Sequence, residues 1–186
     1  FAAGHVPNSI FIGLDGGFAP WVGAVLSNID QPILLVADED RVEEAITRLS
    51  RVGFDNVKGY LNGGFSAWIN EGKEVALIDT ISANDFENNY QGNDVNIFDV
   101  RKLTEYQSEH VLDAINIPLN NINNFISDFK IDGENYIHCA AGYRSMIANS
   151  ILKAHGIHNL VDVRGGFSSI KKTAITTSEY ICPSTL

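Results

Sequence analysis

Residues 138–145, HCAAGYRS, bring a cysteine, a glycine, an arginine and a serine together where an apolar run gives way to helical spacing. Cys139 therefore closes a strand, Arg144 opens a helix, and Gly142 allows the sharp turn between them. In such a turn successive backbone N–H groups point into one concavity at the positive end of a helix dipole, which favours an anion. The anion can be the thiolate of the cysteine, because surroundings of this kind lower a thiol pKa from about 8.5 toward roughly 3.5 to 7.5. Arg144 and the Ser145 hydroxyl are then donors to a negative group bound above the sulfur. A lone cysteine ending an apolar strand is more commonly a small hydrophobe. Here the Gly-x-Arg-Ser that follows it lies at a strand-to-helix switch, where an open parallel sheet holds its ligand, and Cys139 reads as a nucleophile.

The remaining reactive side chains read more plainly. Asp99 and Arg101 end the apolar run 95–100 and are expected to orient the loop, with Arg101 either paired to an acid or guiding an anionic donor. His138 precedes the cysteine, but adjacent strand side chains face opposite sides of a sheet, so a structural role is favoured. His155 and His158 flank a helix end near Gly156, where a cation suits the dipole. No histidine pair has a third ligand in range, so neither a metal nor a cofactor is expected.

These residues need elements to hold them, and the chain supplies them twice. GHVPNSIFIGLD (4–15) returns as EHVLDAINIPLN (109–120), with His5 matching His110 at a spacing of 105. DNVKGYLNGGFSAW (55–68) returns as HNLVDVRGGFSSI (158–170), with the Gly-Gly-Phe triplets 102 apart, and Arg41 precedes Arg144 by 103. Two copies of one unit follow, read as domains 1–78 and 79–186. Residues 71–80 between them show neither breakers nor helical period. His5 and His110 recur in both copies, including the one without a cysteine, so packing or turn hydrogen bonding is their expected role.

In each copy a short apolar run, 33–37 and 135–139, suits a buried parallel strand, and Val42, Ala45, Ile46 and Leu49, then Met146, Ile147 and Ile151, follow at helical spacing. The run 95–100 is a further strand, preceded by a helix start at Ser82 with Asp85 three residues on. Leu119, Ile122, Phe125, Ile126 and Phe129 predict a short amphipathic helix. Alternating strands and helices indicate an α/β fold, each domain a mainly parallel sheet flanked by helices. The Gly-Gly-Phe triplets fit no phosphate-loop pattern and are read as sites of tight strand-to-helix packing. Phe1 aligns with Tyr106, so copy one is expected to be incomplete at its N-terminus, with upstream residues completing its sheet. Alignment on the arginines sets Val36 at the place of Cys139 and ADED (37–40) against AAGY, which makes copy one catalytically silent.

A formal charge of -10, with 45% hydrophobic residues, describes a globular chain without the basic cluster that nucleic acid or an anionic membrane requires. No apolar run is long enough for a span, no signal segment is present, and two cysteines do not make a secreted scaffold, so a cytoplasmic protein is expected.

The motifs DVR (99–101), EYQSEHVLDAINIPL (105–119), CAAGYRS (139–145) and VRGGF (163–167), in that order, resemble a rhodanese domain, the sulfurtransferase module, and copy one resembles the same family in 4–14 and 61–68. Glu109 and Asp113 stand where that family usually has glycines. The resemblance implies that Cys139 and Arg144 are catalytic and that a sulfur donor such as thiosulfate or a small persulfide loads Cys139. A thiol or cyanide then accepts the sulfur. The backbone amides of Ala140, Ala141, Gly142, Tyr143 and Arg144 would hold the persulfide, with Ser145 and Arg101 beside it, and Cys182 could resolve it or be incidental. Tandem copies that end like this one also resemble the tail of fusions whose first domain is a metallo-β-lactamase-type persulfide dioxygenase. Two other readings remain open: a cysteine phosphatase, since HCAAGYR is similar to an H-C-x5-R signature, and a non-catalytic interaction module serving an upstream enzyme.

Overall fold

The computed structural model describes residues 1–90, 95–129 and 132–182. In the first half helix α1 (Phe18–Val25) is followed by strand β1 (Ile33–Leu35), a 3-10 helix (Glu39–Arg41), helix α2 (Val42–Ser50), strand β2 (Val57–Tyr60) and helix α3 (Gly64–Asn70). The second half begins with strand β3 (Asp79–Ile81), helix α4 (Ala83–Tyr90), strand β4 (Asn96–Asp99), helix α5 (Leu103–Ser108) and strand β5 (Ile115–Asn116). Two 3-10 helices (Leu119–Asn124 and Ile126–Asp128), strand β6 (Asn135–His138), helix α6 (Tyr143–Ala154), strand β7 (Leu160–Val163) and helix α7 (Gly166–Ile170) complete it.

The molecule is α/β, with parallel sheets flanked by helices. β1 and β2 form one sheet, and the other runs β3-β7-β6-β4-β5 with every pair parallel. All residues of β6 and β7 are buried, as strands covered on both faces must be. On one face Ile147, Ile151 and Leu152 of α6 pack on Phe98, Ile137 and Cys139. On the other, Phe86 of α4 and Phe167 and Ile170 of α7 pack on Ile97, Tyr136, Val161 and Val163. Truncating one such isoleucine to alanine costs about 2–5 kcal/mol. The first sheet is thinner: Leu34 of β1 is 77% exposed, and the buried cluster there is Phe18, Val22, Leu49 and Phe54.

The repeat is visible atom by atom. His5 stacks on Phe1 with centroids 3.9 Å apart, and its Nδ1 lies 3.1 Å from the Phe1 carbonyl. His110 stacks on Tyr106 at 3.9 Å, with Nδ1 2.8 Å from the Tyr106 carbonyl. The turns that follow put Asn8 and Asp113 in the left-handed region, at φ 62° and 66°. That conformation explains the usual glycine at the place of Asp113, and Asn and Asp are the side chains that tolerate it best.

Three readings are corrected. The run 33–37 is a strand only through Leu35, because the chain turns at 37–40 into a 3-10 helix. The amphipathic segment after Pro118 forms 3-10 rather than α-helix; its asparagines compete for backbone hydrogen bonds and weaken a regular helix. α6 opens at Tyr143, one residue before Arg144. By contrast Ser82 Oγ accepts the Asp85 N–H at 3.1 Å, the capping contact read at the start of α4.

The halves share a core. Val25 is buried with Ile147 and Ile151, and Phe11, Ile12 and Trp21 pack against that cluster. Phe11 N–H donates to Ser150 Oγ at 2.9 Å, and Asn123 Nδ2 donates to the Val25 carbonyl at 3.1 Å. Among the described residues no helix is long and apolar enough to cross a membrane.

Candidate active site

β6 delivers Cys139 to the carboxyl end of the sheet, and the next strands on either side, β4 and β7, end beside it. The shape of the 139–142 loop follows from where its carbonyls go. Phe167 N–H donates to the Cys139 carbonyl at 2.7 Å and Ser168 N–H to the Ala140 carbonyl at 3.0 Å. A trans peptide carries its N–H opposite its C=O, so the N–H groups of Ala140 and Ala141 point away from α7. Gly142, at φ 111°, then turns its own N–H onto Cys139 Sγ at 3.1 Å. The sulfur thus meets one backbone donor directly, at the start of a twelve-residue helix whose dipole favours an anion there.

The Gly-Gly pair makes this approach possible. Gly166 sits at φ 55°, and a Cβ there would lie 2.3 Å from the Cys139 carbonyl oxygen. Gly64, its counterpart, would bring a Cβ to 2.8 Å from the Ala37 carbonyl oxygen. The triplets thus allow the helix after each pair to press on the loop before it.

Arg144 is held by a residue to which the sequence reading gave no role. Its Nη1 and Nη2 donate to Glu105 Oε2 and Oε1 at 2.5 and 2.8 Å, a bidentate pair that joins α6 to α5. Glu105 also accepts the Lys102 N–H at 3.1 Å. The Arg144 guanidinium holds the Glu105 carboxyl below its ordinary pKa, and Glu105 raises that of Arg144. The available signal was an acid in the first turn of a helix, but nothing in the spacing ties it to an arginine 39 positions on.

Two expected donors are turned elsewhere. Arg101, expected beside the substrate, is buried and donates through Nε to both Asp99 oxygens at 3.0 and 2.9 Å, through Nη2 to Asp99 Oδ2 at 2.6 Å, and to the Glu109 carbonyl at 2.8 Å. Its guanidinium lies 4.0 Å above the Phe167 ring. Of its two readings, pairing with an acid is the observed one, because a buried guanidinium needs a counter-charge. Ser145 is also buried; its hydroxyl donates to the Gly142 carbonyl at 3.1 Å, inside the first turn of α6 instead of above the sulfur.

Tyr143 contributes its backbone to the start of α6, while its side chain faces the first half and its Oη donates to the Gly13 carbonyl at 2.8 Å. Burial raises the pKa of that phenol. His138 lies on the other side of the strand, over Phe167 at 6.2 Å and with Nδ1 4.0 Å from Asp99 Oδ1. Burial lowers its pKa, which keeps the ring neutral. His155 Nδ1 sits 2.9 Å from the Ile151 carbonyl at the end of α6, and Cys182 is exposed. Among the described residues no three His, Cys, Asp or Glu side chains gather as a metal would require.

Known proteins match this chain over parts of its length. The chain is 32% identical over 72 residues to YrkF of Bacillus subtilis, a protein named for sulfur carriage, and the match covers 39% of this chain and 39% of that one. With YqhL of the same organism it is 28% identical over 91 residues, covering 49% of this chain and 71% of the relative. The solution structure of the rhodanese-like domain of the Alr3790 protein from Anabaena sp. covers 56% of this chain and 82% of its own, with a TM-score of 0.50 and 18% identity, a likeness of fold. The family model described as Rhodanese-like domain matches residues 1–71 and 82–173, one segment in each half, and the chain belongs to that family.

Proposed function

We propose that this chain is a sulfurtransferase that carries sulfur as a persulfide on Cys139. The observation that carries the reading is the Gly142 N–H directed at Cys139 Sγ from 3.1 Å, in a loop whose Ala140 and Ala141 N–H groups face away from α7. The Cys139 thiolate attacks the outer sulfur of the donor. With glutathione persulfide the S–S bond breaks and glutathione leaves as the thiol; with thiosulfate, sulfite leaves. The new Cys139 persulfide anion rests among fixed N–H donors in place of water. An acceptor thiolate or cyanide then takes the terminal sulfur, Cys139 departs as thiolate, and no net oxidation occurs. Arg144, anchored by Glu105, keeps a positive charge near these anions.

A phosphatase reading fits less well. Four residues separate Cys139 from Arg144, one fewer than that signature, so the loop is shorter than the one that signature uses to hold a phosphoryl group.

The test is intact mass after incubation with thiosulfate and, separately, with glutathione persulfide. One of these donors adds a single sulfur atom to the native chain and none to Cys139→Ala, and cyanide removes it. Failure of both donors would return the chain to the interaction-module reading, and aryl phosphate hydrolysis lost in Cys139→Ser would return it to the phosphatase.

A further inference from the structure

The first half has no cysteine, yet one of its turns reaches the loop that holds Cys139. Residues 13–16 form that turn, with the Gly16 N–H donating to the Gly13 carbonyl at 3.3 Å. The same carbonyl accepts the Tyr143 hydroxyl at 2.8 Å, and the Tyr143 ring lies against the turn. A Cβ on Gly16 would stand 2.4 Å from both Cε2 and Cζ of that ring, and one on Gly13 would stand 3.0 Å from Cε2. Neither glycine has a positive φ, so the ring, and not the backbone, excludes a side chain at Gly16. Phe11 closes the seat, edge to face with Tyr143 at a centroid distance of 6.0 Å.

The repeat supplies a control. By the offset that matches His5 to His110, Pro118 and Asn121 stand where Gly13 and Gly16 do, and both carry the Cβ that the seat excludes. By the offset of the two arginines, Asp40 stands where Tyr143 does. The fold therefore forms without a seat of this kind, and glycines in one half meet a tyrosine in the other only at the loop that carries the cysteine.

The turn is itself braced from α2. Arg48 Nη1 donates to the Leu14 carbonyl at 2.5 Å, and Arg41 Nη2 donates to Asp15 Oδ1 at 2.8 Å while its Nε donates to Glu44 at 2.6 Å. Arg41 is the counterpart of Arg144, so in the half without a cysteine the same arginine steadies the turn that receives Tyr143. Asp15 is exposed, and an exposed pair contributes little by itself, so the ring is the main contact.

We propose that Tyr143 is a positioning residue for the sulfur cradle, and that the first half acts on the chemistry by seating it. Tyr143 is the first residue of α6. On one side it adjoins Gly142, whose N–H meets Cys139 Sγ at 3.1 Å, and on the other Arg144, whose guanidinium is tied to Glu105 of α5. Gly142, at φ 111°, has the backbone freedom to turn that N–H elsewhere. Holding the next two residues by their side chains removes that freedom in advance, and the N–H stays on the sulfur. The first half thus contributes to sulfur loading without touching the donor.

The inference rests on Cys139 as the reactive group proposed above, but its first readout needs no sulfur donor. Hydrogen exchange of the Gly142 amide is followed by NMR in the native chain and in Tyr143→Ala, Tyr143→Phe and Gly16→Ala. Tyr143→Ala and Gly16→Ala are each expected to speed that exchange about tenfold, the effect of losing one hydrogen bond to an anion, while Tyr136 and Ile137 of β6 keep their protection. Tyr143→Phe keeps the ring, loses only the bond to Gly13, and recovers most of the protection. Gly16→Ala adds nothing to Tyr143→Ala, because the ring it would strike is gone. Loading of Cys139 from glutathione persulfide slows in the same order. A Gly142 amide or a loading rate unchanged by Gly16→Ala overturns the proposal, as do additive effects of the two substitutions or exchange that quickens equally through β6. Should Tyr143→Ala fail to fold, Gly16→Ala decides, since it leaves the second half intact. If neither thiosulfate nor glutathione persulfide loads Cys139, the sulfur reading falls and the exchange pattern still decides the seating.

Discussion

The two strand-to-helix loops of this chain share a backbone plan and differ in what fills it. In the second half β6 ends at His138, one residue short of the run 135–139, Cys139 and small residues follow, and Gly142 bends its N–H back to the sulfur. In the first half Val36 takes the place of the cysteine, Glu39 that of Gly142, and a 3-10 helix leads into α2. There Glu39 accepts the Gly63 N–H at 2.9 Å, so a carboxylate is bound near the loop that an anionic donor would need. The arginines diverge likewise. Arg144 is held by one acid from α5, whereas Arg41 is shared by Asp15 and Glu44 at 2.8 and 2.6 Å. Features common to both halves therefore belong to the fold, and features confined to one belong to the chemistry.

The largest test of that division moves the nucleophile. Cys139→Ala is expected to lower sulfur transfer by about 10³-fold or more. Adding Val36→Cys to that variant restores almost nothing, since Asp38, Glu39 and Asp40 surround the new thiol with negative charge. The measurement is persulfide mass and transfer rate for both variants. Substantial activity in Cys139→Ala would point to Cys182, and recovery through Val36→Cys would show the loops to be equivalent after all.

A smaller effect separates the halves by pH. The Asp162 pKa is raised from 3.8 to about 6 in the fold. Between these values the folded chain keeps a proton that the unfolded chain has lost, so stability falls as pH rises through the interval, and the loss persists above it. About two units correspond to about 3 kcal/mol as an upper figure. Asp162→Asn removes the penalty: in urea unfolding it should gain on the native chain at pH 8 and show little of that gain at pH 4. A gain equal at both values would trace the effect to packing instead of charge.

How much of this was legible follows from how local each feature is. The repeat, the parallel strands and the cysteine loop are written in contiguous residues, and the family resemblance rests on the same stretches. Glu105 could not be read as the partner of Arg144, because only the approach of α5 to α6 joins them. Ser145 was misdirected for a related reason. A hydroxyl in the first turn of a helix can face the ligand or the turn itself, and here it donates to the Gly142 carbonyl, with the acid Asp162 buried on β7. That acid was signalled, as one charge inside the apolar run LVDV of β7, but a lone Asp does not say which helix will cover it. For Arg101 the sequence allows an acid or a ligand as partner, and burial beside Asp99 decides for the acid.

The smallest effect should be the same in both halves. Asn8 and Asp113 occupy one turn of the repeat and hold φ at 62° and 66°. For most side chains that region costs about 1–2 kcal/mol, less for Asn and Asp, whose short polar groups bond locally. Glycine removes the strain but adds freedom to the unfolded chain, worth roughly 0.5–1 kcal/mol against folding. Asn8→Gly and Asp113→Gly are thus expected to change stability by less than about 1 kcal/mol, while Asn8→Ala and Asp113→Ala each lose about 1 kcal/mol. The turn lies beside the stacked pairs Phe1–His5 and Tyr106–His110, not at the cradle, so sulfur transfer should be unaffected. Urea unfolding of the four variants measures the response. If the two positions differ by more than about 1 kcal/mol, one of these turns has a task beyond closing the repeat.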